Sequence, residues 1–194
     1  MTHTIDRSNT VVLSMDFQND IVTRYVPVDP GLIARAAGVL AQARAAGMPV
    51  VHIVVRFRPG HPEVGTRGLF AGIKAMNGLV EGTPGAEICE PLAPAPGEVV
   101  CTKRRVGAFS GSDLDTVLRA TGRTHLVLLG IATSGVVLST IRAAADLDYT
   151  MHVVSDCCAD ADPEVHRVLM DKVFPRMATP IGAAEFAAAV SARP

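Results

Sequence analysis

Asp16, Lys103 and the 130–136 stretch Gly130-Ile131-Ala132-Thr133-Ser134-Gly135-Val136 are the parts of this 194-residue chain whose residue types suit chemistry. Asp16 and Lys103 each close an apolar run. A carboxylate and an ammonium held together favour each other's charged forms, and the carboxylate can shuttle a proton beside a fixed positive charge. The same two residues can equally form a structural ion pair at the rim of a sheet. The 130–136 stretch leads into a helical pattern. Unpaired N–H groups and the positive end of the dipole at such a helix start suit an oxyanion or a ligand carboxylate. Thr133 and Ser134 can instead act as the N-cap. Neither Ser134 nor Ser139 has a histidine within the motif to activate it as a nucleophile.

The elements that position these residues follow from hydrophobic patterning. Short β-branched runs alternate with helical patterns, which predicts an α/β fold on a parallel sheet with crossover helices. Strands are expected at 11–15, 50–55, 99–103, 126–131, 151–155 and near 177–181. Asp29-Pro30 opens a helix carrying Ile33, Ala36, Ala37 and Leu40, which Gly47 and Pro49 end. Ser112 caps a second helix, with Asp115 completing a capping-box-like pair. A third helix is expected over 134–148, a fourth opens at Asp162-Pro163, and an Ala-rich helix closes the chain. The 16–20 stretch reads as a polar segment after the first strand. Residues 56–97 break into Gly- and Pro-rich pieces with a weak helical stretch around 69–76, either a pocket wall or lid or a partner-facing surface. In a parallel sheet, residues that follow strand ends gather on one edge, where ligands bind. Asp16, Lys103 and the 130–136 turn are expected to meet there.

With 48% apolar and 19% charged residues, the chain can bury one sizeable core, and one domain over 1–194 is expected. Formal charge is −1 with scattered basic residues, so nucleic acid is not an expected partner. No apolar run approaches the roughly 20 residues that cross a bilayer, and the first ten residues carry no apolar signal core. A cytoplasmic protein without a membrane partner is expected. Cys89, Cys101, Cys157 and Cys158 lack C-x-x-C spacing and read as reduced thiols.

Through three blocks that match in order, the chain over nearly its whole length resembles the isochorismatase-like cysteine hydrolase superfamily, which includes nicotinamidases, carbamoylsarcosine amidases and isochorismatases. Met15-Asp16-Phe17-Gln18-Asn19-Asp20 resembles its D-x-Q block. Lys103-Arg104-Arg105-Val106-Gly107-Ala108-Phe109 resembles the block that opens with the active-site lysine and closes with an aromatic. The run from Gly130 through Val136-Val137-Leu138-Ser139-Thr140 is similar to the G-x-A-T-x-x-C-V-x-x-T nucleophile block. The resemblance implies a doubly wound, mainly parallel sheet of about six strands in a Rossmann-like three-layer sandwich. It also implies Asp16 as general acid/base, Lys103 beside it, and a cis peptide before Ala132. An oxyanion hole from the Ala132 and Val136 amides is implied too, with Thr133, Gln18 and Phe109 at the substrate site. The pocket of such proteins is often completed in a homodimer or homotetramer.

One departure changes the chemistry: Val136 stands where amidase members carry the attacking cysteine, and two methyl groups neither attack nor transfer a proton. Cys101 is expected deep in its strand, while Cys157 and Cys158 are expected beyond the fifth strand on the ligand-binding edge. No metal is expected, because 55–61 reads Val-Arg-Phe-Arg-Pro-Gly-His and a lone His61 is no cluster. No organic cofactor is expected either. Arg56 and Arg58 follow the second strand, where they either meet a substrate carboxylate or stand as solvated loop residues. The leading expectation is a small-molecule hydrolase using Asp16 and Lys103 to cleave a vinyl-ether C–O or related bond. The alternatives are a silent binding module of the same fold and an amidase with a displaced nucleophile.

Overall fold

The computed structural model describes residues 4–25 and 29–191. The strands are β1 (Thr10–Met15), β2 (Val50–Val55), β3 (Val99–Lys103), β4 (His125–Ile131), β5 (Thr150–Ala159) and β6 (Thr179–Ile181). They pair in parallel in the order β3-β2-β1-β4-β5-β6. The helices are α1 (Asn19–Tyr25), α2 (Leu32–Ala45), α3 (Ala71–Ala75), α4 (Leu114–Thr121), α5 (Leu138–Asp146), α6 (Pro163–Val168) and α7 (Ala183–Ser191).

Strand side chains alternate between the two faces of the sheet. Val12, Val127 and Leu129 pack with Leu32, Ala36, Val39 and Leu40 of α2 and Phe186 of α7. Val11, Leu13 and Leu128 face the other way, onto Leu114 and Leu118 of α4 and Ile141 and Ala144 of α5. The sheet is thus the middle of three layers, and β1 is buried along its whole length.

β1 and β4 are neighbours although β2 and β3 lie between them in the chain. The ends of β1 and β4 therefore form the switch point where open parallel sheets leave a crevice. Met15 pairs with Gly130 there. A side chain at Gly130 would bring its Cβ within 2.6 Å of the Met15 carbonyl oxygen, so this close approach requires glycine.

Several elements differ from the sequence expectation. β5 runs to Ala159 because its ladder with β4 is irregular: Leu128 pairs with Val153 but Gly130 pairs with Cys158. The extra β5 residues bulge out, and Asp156 within them accepts the Ala183 amide at the start of α7, at 2.8 Å. Cys157 and Cys158 accordingly lie inside β5 and are buried, not beyond it. The expected 134–148 helix is split into a wide turn over Thr133–Val137, where Gly135 is non-helical (φ −94°, ψ −105°), followed by α5. Ser112 accepts the Leu114 amide at 3.3 Å, but Asp115 turns to Arg119 at 2.8 Å, so the reciprocal half of the capping box is not made. Asp29 lies before α2, where it accepts the Gly31 amide at 3.0 Å and pairs with Arg35. Asp162 does cap α6, accepting the Glu164 amide at 2.8 Å.

Candidate functional site

Asp16 leaves β1 with a positive φ of 59°, a left-handed conformation costing a non-glycine residue about 1–3 kcal/mol. The chain stays tied to β2 through the Asp16 amide, which donates to Ile53 O at 2.9 Å. Lys103 closes β3, and its Nζ lies 2.8 Å from Asp16 Oδ2. Both residues are nearly inaccessible, 5% and 1% exposed. Lys103 also donates to Arg105 O at 3.1 Å. Asp16 Oδ1, by contrast, is buried without a hydrogen-bond partner. The neighbouring Val55 amide donates to Gln18 Oε1 at 2.8 Å. Burial pushes the Asp16 carboxyl above the usual carboxylate range, against the pull of the Lys103 charge and its hydrogen bond.

These groups face a cavity of about 670 Å3, lined also by Ala132, Gly135 and Val136 from the turn after β4. The Ile131–Ala132 peptide is cis. The Ala132 carbonyl accepts the Gly135 and Val137 amides at 3.1 and 3.3 Å. Asp160, at the end of β5, accepts the Ser134 amide at 2.7 Å, and Thr133 Oγ1 lies 2.8 Å from His166 Nδ1. The turn is thus held from behind by Asp160 and His166. Burial pushes the His166 imidazole below its ordinary value, which favours the neutral ring. Val136 is 2% exposed and presents methyl groups to the cavity.

Of the residues selected from sequence, Asp16, Lys103, Ala132 and Val136 share this cavity, and Thr133, Gln18 and Phe109 do not line it. Gln18 is fully buried, and its amide nitrogen donates to Val55 O and Ala86 O at 2.9 and 2.8 Å. It ties the end of β2 to the 84–86 turn. Phe109 packs on Tyr149 with ring centroids 6.4 Å apart. Thr133 is fully buried against His166. Arg56 donates to Ala86 O and pairs with Glu87, and Arg58 pairs with Glu63, so both guanidiniums are engaged away from the cavity.

Sequence reasoning missed the α1 wall, from which Asp20, Ile21, Thr23, Arg24 and Tyr25 line the cavity. A seven-residue helix is too short to show amphipathic periodicity. The 56–97 segment supplies the opposite wall through Phe70, Ile73 and Leu79, among others. None of the four cysteines lines the cavity, and burial pushes the thiols of Cys101 and Cys158 up to about 12. His61 is buried and hydrogen bonds Gly78 O at 2.8 Å. Among the described residues, no group of three His, Cys, Asp or Glu side chains stands together as a metal-binding set, and no helix is long and apolar enough to cross a membrane.

Comparison with known proteins gives the same family as the three sequence blocks. The family model described as "Isochorismatase domain" matches residues 10–185. Maleamate amidohydrolase of Pseudomonas putida is 36% identical over 160 residues, spanning 80% of this chain and 74% of the relative. Ureidoacrylate amidohydrolase RutB of Caulobacter vibrioides is 33% identical over 182 residues, spanning 82% of this chain and 81% of the relative. An isochorismatase family protein from Burkholderia thailandensis superposes with a TM-score of 0.83 at 29% identity, covering 97% of this chain and 98% of that one. N-carbamoylsarcosine amidase from Thermoplasma acidophilum superposes with a TM-score of 0.75 at 25% identity, covering 90% and 96%.

Proposed function

Because the chain belongs to the isochorismatase family of hydrolases, we propose that it hydrolyses a small molecule with Asp16 as the proton-transfer group and water, in place of a thiol, as the attacking species. The observation that carries this reading is Asp16 Oδ1, a buried oxygen without a partner in a carboxyl whose other oxygen is held by Lys103. Burial favours the protonated acid, and Lys103 stabilises the carboxylate once the proton has left.

For a vinyl ether, Asp16 delivers its proton to the alkene carbon. The C=C pair forms that C–H bond and leaves an oxygen-stabilised cation. Water adds to the cation, its released proton returns to Asp16, and the resulting hemiketal loses the alcohol as the remaining hydroxyl proton passes to the leaving oxygen. No step requires a nucleophilic side chain, which suits a site whose nucleophile position is Val136.

C–N hydrolysis is a second reading, favoured by the two amidohydrolase relatives. In it Asp16 begins ionised and takes a proton from water attacking the amide carbonyl. The Ala132 and Val136 amides are the candidate donors to the oxyanion, and Asp16 passes the proton to the departing nitrogen.

The test is turnover across vinyl ethers, amides, ureido compounds and small esters, comparing the parent with Asp16→Asn. We expect the parent to cleave at least one class and Asp16→Asn to lose about 100-fold or more of kcat while retaining its circular dichroism spectrum. Undiminished turnover by Asp16→Asn, or an acyl adduct on the parent seen by intact mass, contradicts the proposal.

A further inference from the structure

Arg24 lines the cavity wall, yet among the described residues no carboxylate pairs with its guanidinium and no carbonyl accepts from it. By contrast, Arg35, Arg44, Arg56, Arg58 and Arg104 all form ion pairs. Asp20 lies four residues earlier on α1, the spacing at which Asp115 and Arg119 pair at 2.8 Å on α4. Asp20 and Arg24 make no such pair. The Asp20 carboxylate instead packs against Gly85, where an added side chain would overlap it.

The other cation of the cavity, Lys103, is already matched by Asp16. Beside Arg24, the Tyr25 phenol remains a protonated donor at neutral pH, because burial and the Asp160 charge push its pKa up from 10. The wall around these groups is largely apolar, with Ile21, Phe70, Ile73, Leu79 and Val106 among its residues. A planar guanidinium whose donors no described residue engages, at the edge of an apolar cavity, matches a carboxylate better than any neutral group.

We propose that Arg24 binds a carboxylate of the substrate, so that the molecule cleaved at Asp16 is a small carboxylic acid anchored on α1. This identification of the substrate class rests on the hydrolase reading of the same cavity, but the binding it requires is measurable without turnover. Arg56 and Arg58, for which sequence left a carboxylate contact and a solvated loop position both open, are engaged by Glu87 and Glu63 and leave this role to Arg24.

The experiment is calorimetric titration of succinamate, a monoanion, and succinamide, its neutral counterpart, into the parent, Arg24→Gln and Arg24→Lys proteins. Arg24 is exposed, so both variants are expected to fold, and circular dichroism checks this. The parent should prefer succinamate. Arg24→Gln should weaken succinamate binding by about 10- to 100-fold and leave succinamide nearly unchanged, and Arg24→Lys should recover part of the loss. Absence of succinamate binding by the parent, or equal effects of Arg24→Gln on the two ligands, overturns the inference. Selective, Arg24-dependent binding without turnover of any panel compound keeps the carboxylate site and removes the hydrolase reading. Turnover with no contribution of Arg24 to carboxylate preference does the reverse.

Discussion

Asp16 owes its chemical character to the inequality of its two oxygens. Oδ2 lies 2.8 Å from the Lys103 ammonium and Oδ1 is buried without a partner among the described residues, so one oxygen is held by a cation and the other is not. The pH profile separates the two readings of the reaction. The folded-state pKa is raised above the usual 3.8, so an Asp16 that acts as an acid gives activity present at low pH and lost as pH rises through that raised value. An Asp16 that acts as a base gives the mirror image, activity gained as pH rises. A vinyl-ether substrate should show the falling limb and an amide the rising one, each absent in Asp16→Asn. Val136 gives a second prediction. Val136→Cys places a thiol in the wall of the cavity that Lys103 also lines, and a cation in the same cavity favours the thiolate. The variant should gain amide hydrolysis over the parent and show an acyl adduct by intact mass, at a stability cost of about 1 kcal/mol. An unchanged rate and no adduct would show that a thiol at this position does not reach a bound carbonyl.

At the scale of elements, the site depends on how closely β1 and β4 approach. Gly130→Ala should lower stability by about 3 kcal/mol and reduce activity, because the added methyl meets the Met15 backbone in two buried strands that cannot part cheaply. Denaturant unfolding checks this, and a variant as stable as the parent would show that the strands can give way. β2 and β3 fall at their expected residues because each is a short β-branched run bounded by Gly or Pro on its N-terminal side. Asp16, which follows β1, and Lys103, which ends β3, then lie at the C-terminal edge of the sheet. The β5 bulge was not readable, since Asp156 and Cys157 have no local signature and the extra residues are accommodated by pairing with β4 and by the start of α7. Gln18 is expected at the substrate site only through the resemblance of its block to the D-x-Q block of the family. Only the fold shows that the Val55 backbone and the Ala86 carbonyl satisfy its amide. Arg24 was passed over because α1 is too brief to announce itself.

For the whole molecule, a separate polar knot ties α2, β2 and the entry to β3 on the side away from the cavity. Glu98 pairs with Arg44 at 2.8 Å and with His52 at 2.9 Å, and accepts the Ala95 amide at 2.8 Å. Burial alone would raise its pKa, but these partners outweigh burial and hold the carboxyl down at about 2. A depressed folded-state pKa contributes stability that is present above the ordinary value of 4.5 and lost as pH falls towards about 2. Glu98→Gln should therefore be less stable than the parent at neutral pH and lose less stability on acidification, as followed by Tm against pH. Equal pH dependence of the two proteins would exclude Glu98 as an acid-sensitive tie. The cavity itself has no part in this knot, so activity and acid stability should separate. The role of Asp16 is tested most directly by the rate at which parent and Asp16→Asn proteins turn over the same panel, measured beside their folded-state spectra. If Asp16 transfers the proton, at least one compound is cleaved with a kcat that falls about 100-fold or more in a variant that keeps the parent spectrum. A folded Asp16→Asn protein that matches the parent rate would contradict it.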